Sequence, residues 1–352
     1  MFLLRKNIIL LSLIFIISVT FLFAGNKDRS GQAGAPELLI NPWARSTGWE
    51  SANTAGAHGV ESMFLNVGGL SFTQKTEMIF SHTLWLSGSG VQINTFGISQ
   101  HIGKSSALGL SVMSMNFGDI PITKVDMPDG GLGTFSPHFM NINLAYSHVF
   151  SNSIHGGVNV KVIQEAIPDM KAQGIAIDAG IQYVTGKKEN IKFGVALKNV
   201  GPQLFFSGNG LSYQGTITGA TNSMTLQQRS SELELPSLIK IGGTYDFHLD
   251  KEDTHILSAA FTFTSNSFTK DQFSLGLEYG LKSILFLRVG YTYEDGIFKA
   301  DTRTTAFTGP SAGFSADIPL NREKKKKFSF DYSYRPTNPF SGTHSFGIKV
   351  NI

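Results

Sequence analysis

The chain has 352 residues, of which 41% are hydrophobic and only 16% charged, and it is rich in glycine (38) and phenylalanine (28). That mixture suits turn-rich β structure better than a helical bundle. Cysteine is absent, which excludes disulfides, thiolate metal sites and a lipid-modified cysteine, and a formal charge of +3 without a basic stripe among aromatics offers no footprint for nucleic acid.

Residues 1–24 read as a secretory signal peptide. Arg5 and Lys6 form its charged start, Ile8 to Phe23 its apolar core, and Ala24 or Gly25 a small residue at the cut. The competing reading is a membrane anchor, but the run is short for a span plus flanks and ends in small and polar residues. Its removal leaves 27 basic against 26 acidic residues. Beyond it no stretch of about 18 apolar residues occurs, so no spanning helix is expected. An exported chain of this kind is either soluble or a β-barrel.

Residues 25–76 are expected to form an N-terminal periplasmic or plug segment. Within it Gly34 to Leu70 is rich in Gly and Ala, carries Pro36 and Pro42, and has no clean period of 2 or 3.6. Irregular backbone needs polar partners or water, and a barrel lumen supplies both.

Residues 77–352 carry fourteen segments of alternating polarity. They fall near 77–86, 91–101, 106–117, 137–151, 154–166, 173–186, 190–200, 237–248, 254–266, 271–281, 283–294, 309–319, 326–335 and 342–352. Phe273, Leu275, Leu277 and Tyr279 oppose Ser274, Gly276, Glu278 and Gly280; Phe346, Ile348 and Val350 oppose Gly347, Lys349 and Asn351. The second segment slips phase between Ile93 and Phe96, which predicts a bulge or kink. The expected fold is all-β: a 14-stranded antiparallel transmembrane β-barrel with an N-terminal plug or hatch.

Two features favour a membrane barrel over a soluble sandwich. The segments run to about ten residues, enough to cross a bilayer at a tilt, against about five or six for soluble strands. Connections also alternate. Those near 102–105, 152–153, 187–189, 249–253 and 282 are tight; those near 118–136, 201–236, 295–308 and 336–341 are long. Short periplasmic turns and long outer loops explain this, with both barrel ends periplasmic. Ser87–Gly90 is expected to be an exceptional tight turn on the outer side.

Charge obeys the same parity. Lys161, Asp178, Lys192, Lys198, Lys240, Asp246, Glu278, Arg288, Glu294, Asp317, Asp331, Arg335 and Lys349 all sit on the row opposite the apolar one. Lys or Arg facing lipid at mid-bilayer costs about 2–4 kcal/mol, so these rows face a lumen, where mixed signs can pair across the interior. The Lys324–Lys327 run reads as a solvated turn, with contact to lipid phosphate or a periplasmic partner as the sharper alternative.

No catalytic, cofactor or metal site emerges. Gly103-Lys104-Ser105 lacks the preceding glycine spacing and the following helix of a phosphate loop. Asp126 to Gly131 lacks the spaced oxygens and closing Glu of a calcium loop. His148 and His155 flank one tight turn and could approach each other, but no third ligand is at hand. The loop from Pro202 to Pro236 is the most promising surface: Phe205, Phe206, Leu211 and Tyr213 can offer apolar anchors to a protein partner. Alternatively, Leu204 to Phe206 merely extend strand seven into an aromatic girdle.

These residues resemble those of a known family. Ala35-Pro36-Glu37-Leu38-Leu39-Ile40-Asn41-Pro42-Trp43-Ala44-Arg45 looks like the start of mature PorV/PorQ-type outer-membrane proteins. Leu65-Asn66-Val67-Gly68-Gly69-Leu70 sits where that family carries Asn-Pro-Ala-Gly-Leu. Leu197-Lys198-Asn199-Val200-Gly201-Pro202, Leu235-Pro236-Ser237 and Arg335-Pro336-Thr337-Asn338-Pro339 are similar to its strand ends. The resemblance covers essentially the whole mature chain. It implies a FadL-type fourteen-stranded barrel and a plug turn at Asn66, Gly68 and Gly69, although Val67-Gly68 in place of Pro-Ala loses a rigid turn. It further implies an outer-membrane, non-enzymatic role in type IX secretion in Bacteroidota. PorV-like members bind secreted cargo through C-terminal signal domains and partner the translocon and attachment complex; PorQ-like members anchor that complex. The rival expectation is a FadL-like channel for hydrophobic small molecules, which the phase slip in the second segment would favour by opening the wall. A purely structural barrel is a third.

Overall fold

The computed structural model describes residues 25–219, 221–321 and 326–352. The expected signal peptide, and Lys324 and Lys325 of the lysine run, lie outside them. Fourteen long strands are present: β1 (Thr76–Leu84), β2 (Gln92–Ile102), β3 (Ser106–Asn116), β4 (His138–Ser151), β5 (Ile154–Ile167), β6 (Met170–Thr185), β7 (Ile191–Val200), β8 (Leu238–His248), β9 (His255–Asn266), β10 (Gln272–Leu281), β11 (Leu285–Glu294), β12 (Pro310–Asn321), β13 (Lys326–Arg335) and β14 (Thr343–Asn351). Each pairs antiparallel with its neighbours, and β1 pairs with β14, so the sheet closes into a barrel without a free edge.

Alternation decides which face each side chain takes. The outward row is apolar and exposed, as in Phe273, Leu275 and Leu277 of β10. The inward row is polar and buried: Ser329, Asp331, Ser333 and Arg335 of β13. Turns at 152–153 and 282–284 lie at the end that carries both ends of the barrel sequence, the turn end. The long connections 117–137, 201–237 and 295–309 lie at the other, the loop end, as does 85–91. That short connection is not alone there, since 168–169 and 267–271 are also brief.

The expected kink in β2 is absent. Ile93, Thr95, Gly97 and Ser99 all face inward, and the register with both β1 and β3 is unbroken. Ile93 is an inward apolar residue packed against Met113 and Met115, not a change of phase. The wall is irregular in β7 instead. There Lys198 and Asn199 together oppose the single residue Asp178, a β-bulge with Asn199 in the left-handed conformation (φ 59°). Both residues are thereby turned inward and buried.

The N-terminal segment lies inside the barrel as short turns, among them Pro36–Leu39, Ala44–Thr47, Ser62–Leu65 and Val67–Phe72. Its apolar residues Trp43, Val60, Met63, Val67 and Leu70 pack on Ile79, Ala107 and Ala145 of the wall. Its backbone is satisfied by inward polar side chains around much of the circumference. Ala52 O accepts from Thr262 Oγ1 (2.8 Å), Ala57 O from Gln182 Nε2 (2.9 Å), Gly68 O from Ser147 Oγ (2.9 Å), and Val60 N donates to Glu77 Oε1 (2.8 Å).

The connection 201–237 is not structureless. Leu204 bridges Leu233 and is buried with Ala35, Leu38, Ala172 and Leu235, while Phe206–Ser207 pairs with β6. Ser212–Gly215 and Met224–Gln227 form a small hairpin. Leu204 to Phe206 therefore fold against the lumen segment and β6, and do not continue β7.

Candidate functional site

The lumen is where chemistry-bearing side chains converge. Wall glycines let the N-terminal segment approach closely: a Cβ at Gly290 of β11 would lie 2.6 Å from Trp49 Cα and 2.8 Å from Glu50 N, and one at Gly157 of β5 would lie 2.7 Å from Val67 O. Gly68 on the segment mirrors this, since its Cβ would sit 2.7 Å from His155 O. Gly68 and Gly69 lie in the turn Val67–Phe72, and Asn66 caps its start. The Asn66 amide accepts from Gly68 N (3.2 Å) and donates to Ile181 O (2.9 Å) and Val195 O (3.3 Å).

Inward charges pair along the wall and with the segment, not across an open interior. Lys161 meets Asp178 of the next strand (2.7 Å), Lys192 meets Asp246 (2.6 Å), and Arg288 meets Glu278 (2.5 Å). From the segment, Arg45 reaches Asp317 (2.8 Å) and Asp331 (3.0 Å), and Thr47 Oγ1 lies 2.7 Å from Ser333 Oγ. The β7 bulge builds a second anchor. Asn199 Oδ1 accepts from Lys161 Nζ (2.6 Å), Asn199 N donates to Asp178 (2.8 Å), and Lys198 donates to Phe64 O while lying 3.6 Å over the Phe64 ring. Sequence reading singled out Lys198-Asn199 as a strand-end motif but missed this role, because periodicity assigns successive residues to opposite faces and a bulge breaks that rule.

Burial sets the ionisation of the segment. It pushes Glu50 and Glu61 up to about 7 and His58 down to about 3. Glu37 rises to about 8, first through burial and then through the neighbouring Glu165 carboxylate.

The segment divides the lumen. At the loop end a cavity of about 250 Å³ is lined by Leu39, Ile40, Phe64, Trp85, Phe307, Glu50, Lys240 and Arg335. At the turn end cavities of about 280 and 860 Å³ share Arg45, His58 and Lys349. The stretch 43–51 stands between them: Glu50 and Ser51 face the loop-end cavity, Arg45 and Trp49 the other. Glu50 and Ser51 both take the left-handed conformation (φ 55° and 56°), a strained arrangement typical of functional segments.

The expected partner residues separate. Phe205 (58% exposed) and Tyr213 (55%) stand open at the loop end. Phe206 is half-buried against the Leu204 cluster, and Leu211 ends a short turn whose carbonyl accepts from Gln228 N (2.9 Å). His148 and His155 do not approach as a pair. His155 points inward to Ser71 (2.7 Å), while His148 contacts Ser106 (2.8 Å) and stacks edge-on with the exposed Phe150. Among the described residues no group of three metal-ligating side chains forms.

No family model matches the chain, and neither does any curated protein. Solved structures do, and they show the fold: a FadL-like fourteen-stranded antiparallel barrel. The chain is similar to the toluene transporter TbuX of Ralstonia pickettii, with 12% identity and a TM-score of 0.54, over 88% of this chain and 98% of that one. The toluene transporter TodX of Pseudomonas putida gives 10% and 0.55, over 88% and 97%. A FadL homologue from Pseudomonas aeruginosa gives 11% and 0.52, over 88% and 97%.

Proposed function

We propose that this protein is a non-enzymatic outer-membrane channel for small, predominantly apolar molecules, with its loop end facing outward. The observation that carries the reading is that the lumen segment lines a cavity at each end of the barrel, with Glu50 and Ser51 on the loop-end one and Arg45 and Trp49 on the turn-end one. A solute enters the loop-end cavity, the segment acts as a plug that shifts, and release follows at the turn end. The toluene carried by these neighbours suits a cavity of about 250 Å³, below the range usual for drug-sized ligands. The unbroken register of β2 favours passage along the axis over a side opening there. The test is uptake of labelled toluene by bacteria whose outer membrane carries the protein. Uptake above that of cells with an empty vector is expected; equal uptake removes the channel reading.

The second reading is the type IX secretion role of PorV-like proteins, in which the loop end holds secreted cargo and meets the translocon and attachment complex, or a PorQ-like anchoring role. Exposed Phe205 and Tyr213 on an ordered loop favour it. A gentle pull-down from native outer membranes tests it: recovery of a large translocon or of secreted proteins sharing a C-terminal domain is expected, and recovery of the barrel alone removes it.

A further inference from the structure

Several inward-facing cations of the lumen named above have a carboxylate within about hydrogen-bond reach. Arg45, Lys161, Lys192 and Arg288 all do. The two cations that line the loop-end cavity do not. Among the described residues, neither Arg335 nor Lys240 makes a side-chain hydrogen bond or an ion pair, and Arg335 Nη2 is buried without a partner. Arg335 is 93% buried by its 7% exposure, yet its guanidinium has only aromatic faces against it: Phe307 at 4.1 Å and Trp85 at 5.7 Å. Lys240 Nζ lies 5.8 Å from the Phe64 ring.

The acidic groups of the same cavity take neutral donors, Glu294 on both oxygens and Glu50 on one. Glu294 accepts from Thr304 N (2.8 Å), Thr304 Oγ1 (2.9 Å) and Gln272 (3.1 Å). Glu50 accepts from Thr292 (3.3 Å), and burial pushes it up to about 7, which weakens its claim on Arg335 as a counter-ion. Neutral donors thus serve Glu294, whereas Glu50 Oε1 and Arg335 Nη2 are both buried without a hydrogen-bond partner, so Arg335 keeps its donors free. A buried guanidinium without acceptors is costly, and an anionic ligand relieves that cost through charge-assisted hydrogen bonds. The aromatic faces beside it suit a ring.

We propose that the loop-end cavity is a binding site for a small aromatic carboxylate, its carboxylate held by Arg335 and Lys240 and its ring lying among Trp85, Phe307 and Phe64. Arg335 is a specificity-determining residue: it makes the channel prefer an anion to an uncharged ring of the same shape. This rests on the channel reading for its physiological use, but binding is measured apart from transport.

The probes are benzoate and its uncharged isostere benzamide, titrated calorimetrically into the full chain in non-ionic micelles. Benzoate is expected to bind tighter by about tenfold or more, the range of a hydrogen bond to a charged group. Arg335→Gln is expected to abolish that preference while leaving benzamide unchanged, and Arg335→Lys to restore part of it. Lys240→Gln provides a second variant, and heat-modifiable mobility on gels checks that each barrel has folded. Equal binding of the two probes, or a preference that survives both Gln variants, overturns the carboxylate site. Toluene uptake by cells is scored separately: its absence alongside benzoate preference removes the channel and leaves the site, and its presence without benzoate preference does the reverse.

Discussion

Gly290→Val tests whether the lumen segment is held by close approach to the wall. A Cβ at this position of β11 meets backbone, not flexible side chain: Trp49 Cα at 2.6 Å and Glu50 N at 2.8 Å. Ordinary van der Waals separation begins at 3.4 Å, so the segment must retreat by at least about 0.8 Å at Trp49, whose carbonyl carbon lies closer still than its Cα. Neither partner can rotate away. Glu50 and Ser51 are already in the left-handed region, so the local chain has little further conformation to take up. Overpacking of this kind costs about 1–3 kcal/mol, and valine's two methyl groups add to it. Spent on docking alone, that is about a five- to 150-fold shift toward the undocked segment. The strand itself is unharmed, because β11 keeps its ladders with β10 and β12 and valine favours a strand.

The assay is single-channel conductance in planar bilayers, with Val289→Leu as control. Val289 is the adjacent outward residue, 55% exposed, where an added methylene meets only lipid. Gly290→Val is expected to raise the frequency of open events by at least several-fold, with Val289→Leu unchanged. Unchanged conductance in a correctly folded Gly290→Val barrel refutes the idea that segment 43–51 closes the path.

Three further outcomes follow from the same geometry. Arg45→Met leaves Asp317 and Asp331 without their partner and is expected to weaken docking of the segment by about 3 kcal/mol; adding Asp317→Asn and Asp331→Asn should recover most of this in thermal unfolding followed at Trp43 and Trp49. Docking should also depend on pH. Glu37, Glu50 and Glu61 lie above their ordinary 4.5, so the docked state holds protons the free segment loses, and docking weakens as pH rises from about 4.5 toward 7–8; His58, lowered from 6.5 to about 3, weakens it as pH falls through that lower window. Maximal docking is expected near pH 4.5, read from tryptophan emission in a Trp85→Phe background, and Glu37→Gln should flatten the alkaline limb; emission independent of pH would contradict the burial of these carboxyls. Finally, Phe205→Ser with Tyr213→Ser should reduce capture of a secreted partner without altering toluene uptake, whereas unchanged capture in a pull-down would remove these two residues as anchors.

The barrel was legible because one rule covers every strand: a period of two with lipid on one side and polar lumen on the other. All fourteen expected segments correspond to strands, with boundaries moved by three residues or fewer. The same rule fails at Ile93, where an inward apolar residue imitates a phase slip, and at Asn199, where a bulge turns a second successive residue inward beside Lys198, whose inward place the rule gives correctly. Both errors have one origin. Period reports only the polarity of a side chain, whereas the face it takes is set by what fills the lumen. Ile93 is inward because Met113 and Met115 supply apolar neighbours there. Asn199 is inward because Lys161, Asp178 and Pro236 O supply it with partners there.

The same reasoning explains why the candidate site was not visible in advance. Thirteen inward charges could be enumerated from parity, but not their partners, and the mixed signs suggested an interior that neutralises itself. It does so over most of its surface, through neighbouring strands and through Arg45. What distinguishes Arg335 and Lys240 is only where the N-terminal segment stops. Its turn at Glu50 and Ser51 leaves these two cations facing space, while Trp49 is pressed against the wall glycines Gly276 and Gly290. The specificity of the lumen is therefore written jointly by the barrel, which places the charges, and by the segment, which determines which of them remain available to a ligand.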